Sequence, residues 1–402
     1  MADNQPSPDY SRPQFPAHNE PRVWVITAGD SPIGISVTRQ ILMHGDYALV
    51  GLAHSNLDRD ECRRDMFDAF LAEIESNEGW GKRFKALPLD IRMVGECQAI
   101  VAQAVASFGR VDVLLCCTSQ ALIGTVEELS ASQQTLNLVR DQFESNYFGP
   151  LNIIKAALPH MRRQKAGHIT ILSGISKHNS YLPHTPIQDL TKRTAAHIGT
   201  PGLGMYCAAG WALEGFCDSL AYEIAPFNIK LTIFQCSIEI GILTNLVTSV
   251  PPIGPVYSSA ANQAPLFRGI MNRLVSRLSS NTQSSAESSN GSNQGNSVED
   301  GPFSASEVIS TYPPLSSAHM EVLVSETVYA ITAIAGHENP PSRHIVGQEG
   351  VASVKEKLKT VSEELEDFIQ ASFAVDYAAD EAGRSSKDEG MIMGMGAGHE
   401  GF

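Results

Sequence analysis

The sequence predicts an α/β fold, a doubly wound parallel sheet, and three observations carry that prediction. Short apolar runs alternate with helix-length segments from residue 22 onward. The first run, Val23-Trp-Val-Ile-Thr27, reads as a buried strand. Apolar residues make up 43% of the 402 positions, enough for one sizeable core. Strand–helix alternation of this kind gives a parallel sheet sandwiched between helices.

The elements follow in order. Residues 1–21, rich in Pro, Asn, Asp and Ser, are expected to be a disordered leader. Val23–Thr27 reads as a strand and Gly34–His44 as a helix; Tyr47–Leu52 and Asp58–Ser76 repeat the pair. Phe84–Pro88 is a third strand, Val94–Phe108 a helix and Val111–Cys117 a fourth strand. A long helix is predicted over Leu138–Gln164, broken or bent near Gly149-Pro150 because proline has no N–H to donate. His168–Ser173 is a strand, Gly204–Ala225 a helix and Lys230–Gln235 a sixth strand. The main body therefore spans 22–275. Residues 276–307 turn to Ser, Asn, Gln and Gly and read as a flexible low-complexity insertion. Residues 308–375 complete the same domain with helices at Ala318–Ala335 and Val354–Phe373 and a strand at His344–Val346, and 376–402 form a disordered tail.

Composition excludes several function classes. A formal charge of −15 argues against nucleic-acid partners and anionic membrane surfaces. The best apolar stretch, Leu231–Val250, is interrupted by Gln235, Glu239 and Asn245, so no membrane span is expected. Seven cysteines, odd in number and without C-x-x-C or Cys/His metal spacing, predict no metal site and a reducing, cytoplasmic setting. The first residues lack the apolar core of a signal peptide.

The chemistry-bearing landmarks also come in series. Thr27–Gly34 joins the first strand to its helix, and Leu89-Asp90-Ile91 follows the third strand. Asp112–Leu115, Ala121–Glu128, Asn146-Tyr-Phe-Gly149, Gly204–Phe216 with Tyr206, and Glu223–Ile229 complete the set. On these residues the chain resembles the short-chain dehydrogenase/reductase family over roughly 22–250. Pro313–Phe373 resembles the C-terminal part of its larger retinol- and hydroxysteroid-dehydrogenase-like members. The resemblance implies a Rossmann-like single domain, NADP or NAD as cofactor and a small carbonyl or alcohol substrate. It also implies a homo- or hetero-oligomer assembled through the long helices.

Residue by residue, the resemblance assigns cofactor contacts to Thr27, Gly29, Ile33 and Gly34 in the glycine-rich turn, His54 after the second strand, and Asp90 and Ile91 after the third. It assigns catalysis to Tyr206, Asn146 and Ser173. The departures are concentrated at these places. Against the family pattern T-G-x-x-x-G-x-G the chain has Thr27, Ala28, Pro32 and Gly34. Cys116-Cys117-Thr118-Ser119 replaces N-N-A-G, and Cys236-Ser237 replaces Pro-Gly after the sixth strand. Gly210 stands four residues after Tyr206, where the family has lysine, and Gly174 takes the serine position with Ser173 one place early. A free phenol titrates near ~10, poorly matched to proton transfer at neutral pH without a neighbouring cation. Ser176, Lys177, His178 and Lys192, in a long loop before Tyr206, are the candidates to stand in.

These departures predict impaired catalysis, with the protein acting as an NAD(P)-binding or regulatory module. Two alternatives stand beside it: an active NAD(P)-dependent oxidoreductase with rearranged groups, and a structural subunit paired with an active relative.

Overall fold

The computed structural model describes residues 14–53, 58, 60–175, 200–254, 268–269, 271–272, 275, 301–313, 317–367 and 369. The first strand, β1 (Val23–Ile26), is fully buried and leads into α1 (Pro32–His44). Proline suits the start of α1, because its missing N–H has no intrahelical acceptor there. Gly45, at φ 104°, ends the helix in the left-handed conformation and turns the chain into β2 (Tyr47–Leu52). Next come α2 (Glu61–Ser76), the short α3 (Trp80–Arg83) and β3 (Phe84–Pro88), then α4 (Val94–Phe108) and β4 (Val113–Cys116).

After β4 the chain forms a strand that periodicity did not reveal, β5 (Gln120–Ile123), and two helices, α5 (Val126–Leu129) and α6 (Gln133–Phe143). A π-turn at Glu144–Phe148 joins α6 to α7 (Gly149–Gln164), so the expected break falls just ahead of Gly149-Pro150. Pro150 has no N–H for the Asn146 carbonyl, and the Gly149 N–H reaches back to Glu144 instead. The remaining elements are β6 (Gly167–Ile175), α8 (Gly204–Ile224), β7 (Ile229–Ser237), α9 (Ile238–Leu243), β8 (Leu246–Ser249), β9 (Ile309–Thr311), α10 (Ser317–Ile334), β10 (Arg343–Ile345) and α11 (Gln348–Asp367).

The main sheet has seven strands in the order β10-β7-β6-β4-β1-β2-β3, every neighbouring pair parallel. Doubly wound sheets place their sites beyond the strands' C-terminal ends, at the point where the order reverses. Here that point lies between β1 and β4. Two apolar layers flank the sheet. One joins Trp24, Ile33, Val50, Phe70 and Phe234 with Ile240 and Val328; the other joins Leu49, Ile91, Ile154, Ile171 and Leu213.

A second sheet, β5-β8-β9, sits beside the first. Residues 301–304, inside the stretch expected to be an insertion, form a turn whose Phe303 is fully buried, with Asn272 accepting from the Phe303 N–H. Likewise Phe15, within the expected leader, stacks on His44 at 4.1 Å. In both places a single aromatic finds an apolar surface that local composition does not reveal. Among the described residues no helix is long and apolar enough to cross a membrane.

Candidate active site and dinucleotide cleft

Tyr206, Asn146 and Ser173 line one small cavity of about 50 Å³, together with Ser119, Gly174, Cys207, Gly210, Glu214 and Gln235. That volume suits a few water molecules. Within it each side chain is already engaged. Asn146 closes a two-way bond with the Gln120 backbone, accepting its N–H at 3.0 Å and donating to its carbonyl at 2.9 Å. This ties the π-turn to β5.

Ser173 donates to Glu214 Oε1 at 3.0 Å, while Gln235 donates to Glu214 Oε2 at 2.9 Å. Arg343 approaches the same carboxylate at 3.5 Å and bonds Asp218 at 2.7 Å. Gly210 and Glu214 are one helical turn apart on α8, so they share a face. A β-carbon at 210 would have only Ser173 Oγ near it, at 4.0 Å. The face that the family uses for a cation therefore carries, one turn on, an anion.

Tyr206 is 7% exposed and belongs to an apolar cluster with Ala121, Leu203, Ile242, Met271 and Phe303. Burial pushes its phenol up to about 12, against a hydrogen bond with Ser119 that works the other way. Its hydroxyl sits between two glycines. A β-carbon on Gly174 would lie 2.8 Å from it, and one on Gly241 only 2.6 Å. Gly241 belongs to α9, the helix that begins where the family has its Pro-Gly turn. The candidates in the loop before Tyr206, residues 176–178 and 192, lie outside the described residues.

The glycine-rich turn keeps one steric requirement of a tight strand-to-helix turn. A β-carbon at Gly34 would collide with the Ala28 carbonyl, and one at Gly29 with the Val50 side chain. Thr27 Oγ1 accepts from the Cys117 and Thr118 N–H groups, so it locks the end of β1 to the end of β4. Ile33 is a buried residue of the same apolar layer as Ile240. The helix N-terminus, an anion site in principle, is closed by its own cap: Ser31 Oγ accepts the Gly34 N–H at 3.0 Å. Pro32 removes another donor.

Sequence reasoning passed over the most consequential residue of the turn. Asp30 is fully buried and pairs with Arg63, itself 5% exposed, at 2.7 Å. Arg63 also donates to the Thr244 carbonyl at 3.2 Å and lies 4.6 Å from the Tyr312 ring. Asp30 Oδ1 is left without a hydrogen-bond partner among the described residues. The turn that would have to receive a dinucleotide's phosphates thus holds a buried carboxylate and a helix start capped by its own serine. As they stand, these residues do not fit that group.

On the adenine side, Asp90 is occupied as well. Arg92 forks onto it at 2.6–3.1 Å and holds its carboxyl below the usual range. Ile91 is buried against the start of α7, where a β-carbon on Gly149 would come 2.5 Å from it. His54 lies outside the described residues. Cys116 and Cys117 are free, buried thiols whose pKa burial pushes up, as packing residues at a strand end.

A family model described as short chain dehydrogenase matches residues 22–184. An oxidoreductase of Botryotinia fuckeliana is 26% identical over 214 residues, 53% of this chain and 64% of that protein. Human retinol dehydrogenase 8 is 27% identical over 224 residues, 54% of this chain and 58% of that protein. These matches thus span about three fifths of the relatives' length. The crystal structure of a short-chain dehydrogenase from Streptomyces avermitilis superimposes with a TM-score of 0.57 at 20% identity, covering 88% of this chain and 98% of that one. Strand order, landmark series and family match agree: residues 22–184 are similar to the short-chain dehydrogenase family, and the chain shares that fold.

Proposed function

We propose that this protein is a catalytically impaired member of its family that acts as a regulatory module. One observation carries the reading: Tyr206 is enclosed by Gly174, Gly241 and apolar side chains, with a phenol pushed up to about 12 and a carboxylate near the vacant lysine position. Positioned acid–base groups contribute roughly 10²–10⁴-fold, and neither serine nor lysine stands in its family place. The buried Asp30–Arg63 pair supports the further point that neither NAD nor NADP is taken up in this state. Its partners are then other proteins, met through the long helices α7 and α8. Exposed aromatics beside them, Phe148, Trp211 and Tyr222, support that surface.

The alternative, an active NAD(P)-dependent oxidoreductase on a small carbonyl or alcohol, draws support from the names of the relatives. Thermal shift with millimolar NADPH and NADH, followed by carbonyl-reduction assays, separates the two. No shift and no turnover are expected. Efficient turnover in the wild type, abolished by Tyr206→Phe, would overturn the proposal.

A further inference from the structure

A cluster at the opposite end of the sheet, where β1 and β2 begin, is unrelated to the candidate active site. His18, His44 and Asp46 each offer one ligand atom, and these atoms all lie within 4.8 Å of one another. His18 Nε2 stands 3.5 Å from Asp46 Oδ1, and His44 Nδ1 stands 3.4 Å from Asp46 Oδ2. Tetrahedral zinc with bonds of about 2.0–2.1 Å puts its ligand atoms roughly 3.3 Å apart, so each imidazole stands near that spacing from its own carboxylate oxygen and the set closes on a metal by a small inward shift.

The cluster is built by the fold. Gly45 at φ 104° turns the chain between His44 and Asp46, so that residues two apart converge instead of diverging. Phe15 stacks on the His44 ring and meets Trp24 edge-on at 6.3 Å, which brings the preceding segment, and with it His18, onto the sheet. The two imidazole centroids are 5.0 Å apart.

Protonation and orientation suit a metal. His18 Nδ1 is 2.6 Å from the Glu20 carbonyl, which can only accept, so Nδ1 carries the hydrogen and Nε2 presents a lone pair. That is the outer-shell bond by which metal-binding histidines are commonly oriented. Nε2 is shielded from solvent and has no hydrogen-bond partner among the described residues. The Asp46 side chain is 1% exposed. Its carboxylate accepts from the Arg22 N–H at 2.9 Å and from Trp24 Nε1 at 3.4 Å. These bonds hold the group in place, and a carboxylate with about four lone-pair sites keeps two for further ligation.

We infer that His18, His44 and Asp46 form a binding site for a divalent transition metal of the zinc class. Two imidazoles and a carboxylate are a common zinc donor set, with the partly exposed side of His44 leaving the fourth position to water. Bound metal would clamp the segment around His18 to the β1–β2 end and stabilise the native state by mass action.

The test is Zn²⁺ and Co²⁺ binding to the full chain, by equilibrium dialysis with metal analysis and by Co²⁺ visible absorption. One equivalent per chain is expected, with tetrahedral Co²⁺ bands. His18→Ala and His44→Ala should each weaken binding by at least about tenfold. A His44→Phe variant, which keeps a ring for Phe15 to stack on but offers no ligand atom, should lose binding equally while keeping its metal-free circular dichroism, so loss of binding there is not loss of fold. Absence of binding above the dialysis blank, or binding that survives both substitutions, overturns the site.

Discussion

The Tyr206 hydroxyl lies so close to the backbone of Gly174 that a β-carbon there would come within 2.8 Å of it. The position at which the family carries its serine is therefore sterically closed by the tyrosine that the serine would serve. On the other side a β-carbon on Gly241 would come 2.6 Å from the same hydroxyl, so glycine is what leaves room for the phenol there too. Glycine at 174 and the placement of α9 are parts of one packing arrangement.

Two alanine substitutions should consequently move stability in opposite directions. Gly174→Ala forces a carbon against the buried Tyr206 hydroxyl and is expected to cost about 1–3 kcal/mol. Gly210→Ala enters open space on the interior of α8, with only Ser173 Oγ at 4.0 Å. It should stabilise by about 0.5–1 kcal/mol, the usual helix-interior difference between glycine and alanine. Urea denaturation of the two variants reads both signs. A tolerated Gly174→Ala would mean that Tyr206 is less confined than described.

The Asp30–Arg63 pair yields a second expectation. Arg63→Met strands a fully buried carboxylate, a change that typically costs about 3–5 kcal/mol. Adding Asp30→Asn should recover most of that loss, because the double variant buries no charge. A double-mutant cycle on chemical denaturation measures the coupling. Additive single effects would show that the pair is not the unit proposed for closing the cleft.

A third expectation concerns pH. His168 is buried, and desolvation pushes its pKa down to about 3 from 6.5. Its Nδ1 accepts from the Gly336 N–H at 2.8 Å, so Nε2 donates to Thr232, which in turn donates to the Pro341 carbonyl at 2.7 Å. The neutral ring thus ties the α10–β10 connection to the sheet. Because the unfolded chain binds the proton first, this contribution is complete above about pH 6.5 and is lost as pH falls toward 3, at roughly 1 kcal/mol per pH unit. Denaturation at pH 7, 5.5 and 4.5 should show a steeper decline in wild type than in His168→Gln. Parallel declines would remove His168 as the cause.

How much of this was legible beforehand depends on the range of the signal. Strands such as Tyr47–Leu52 and Phe84–Pro88 and helices such as Val94–Phe108 match their predicted bounds, because short strand-like runs and helix-length segments are local patterns. The second sheet was not legible: Gln120–Ile123 is four residues long and pairs with Leu246–Ser249, far along the chain. Asp30 and Arg63 were equally hidden, since nothing in either neighbourhood marks the other, 33 positions away. The sequence by itself determined the sheet, the resemblance to a family and the absence of that family's lysine, all of which are written in short windows. Only the tertiary structure decided that α9 and Gly174 enclose the phenol, that an ion pair fills the phosphate turn, and that two histidines meet one aspartate. Those outcomes depend on long-range packing and on the burial of charge, which no local pattern records.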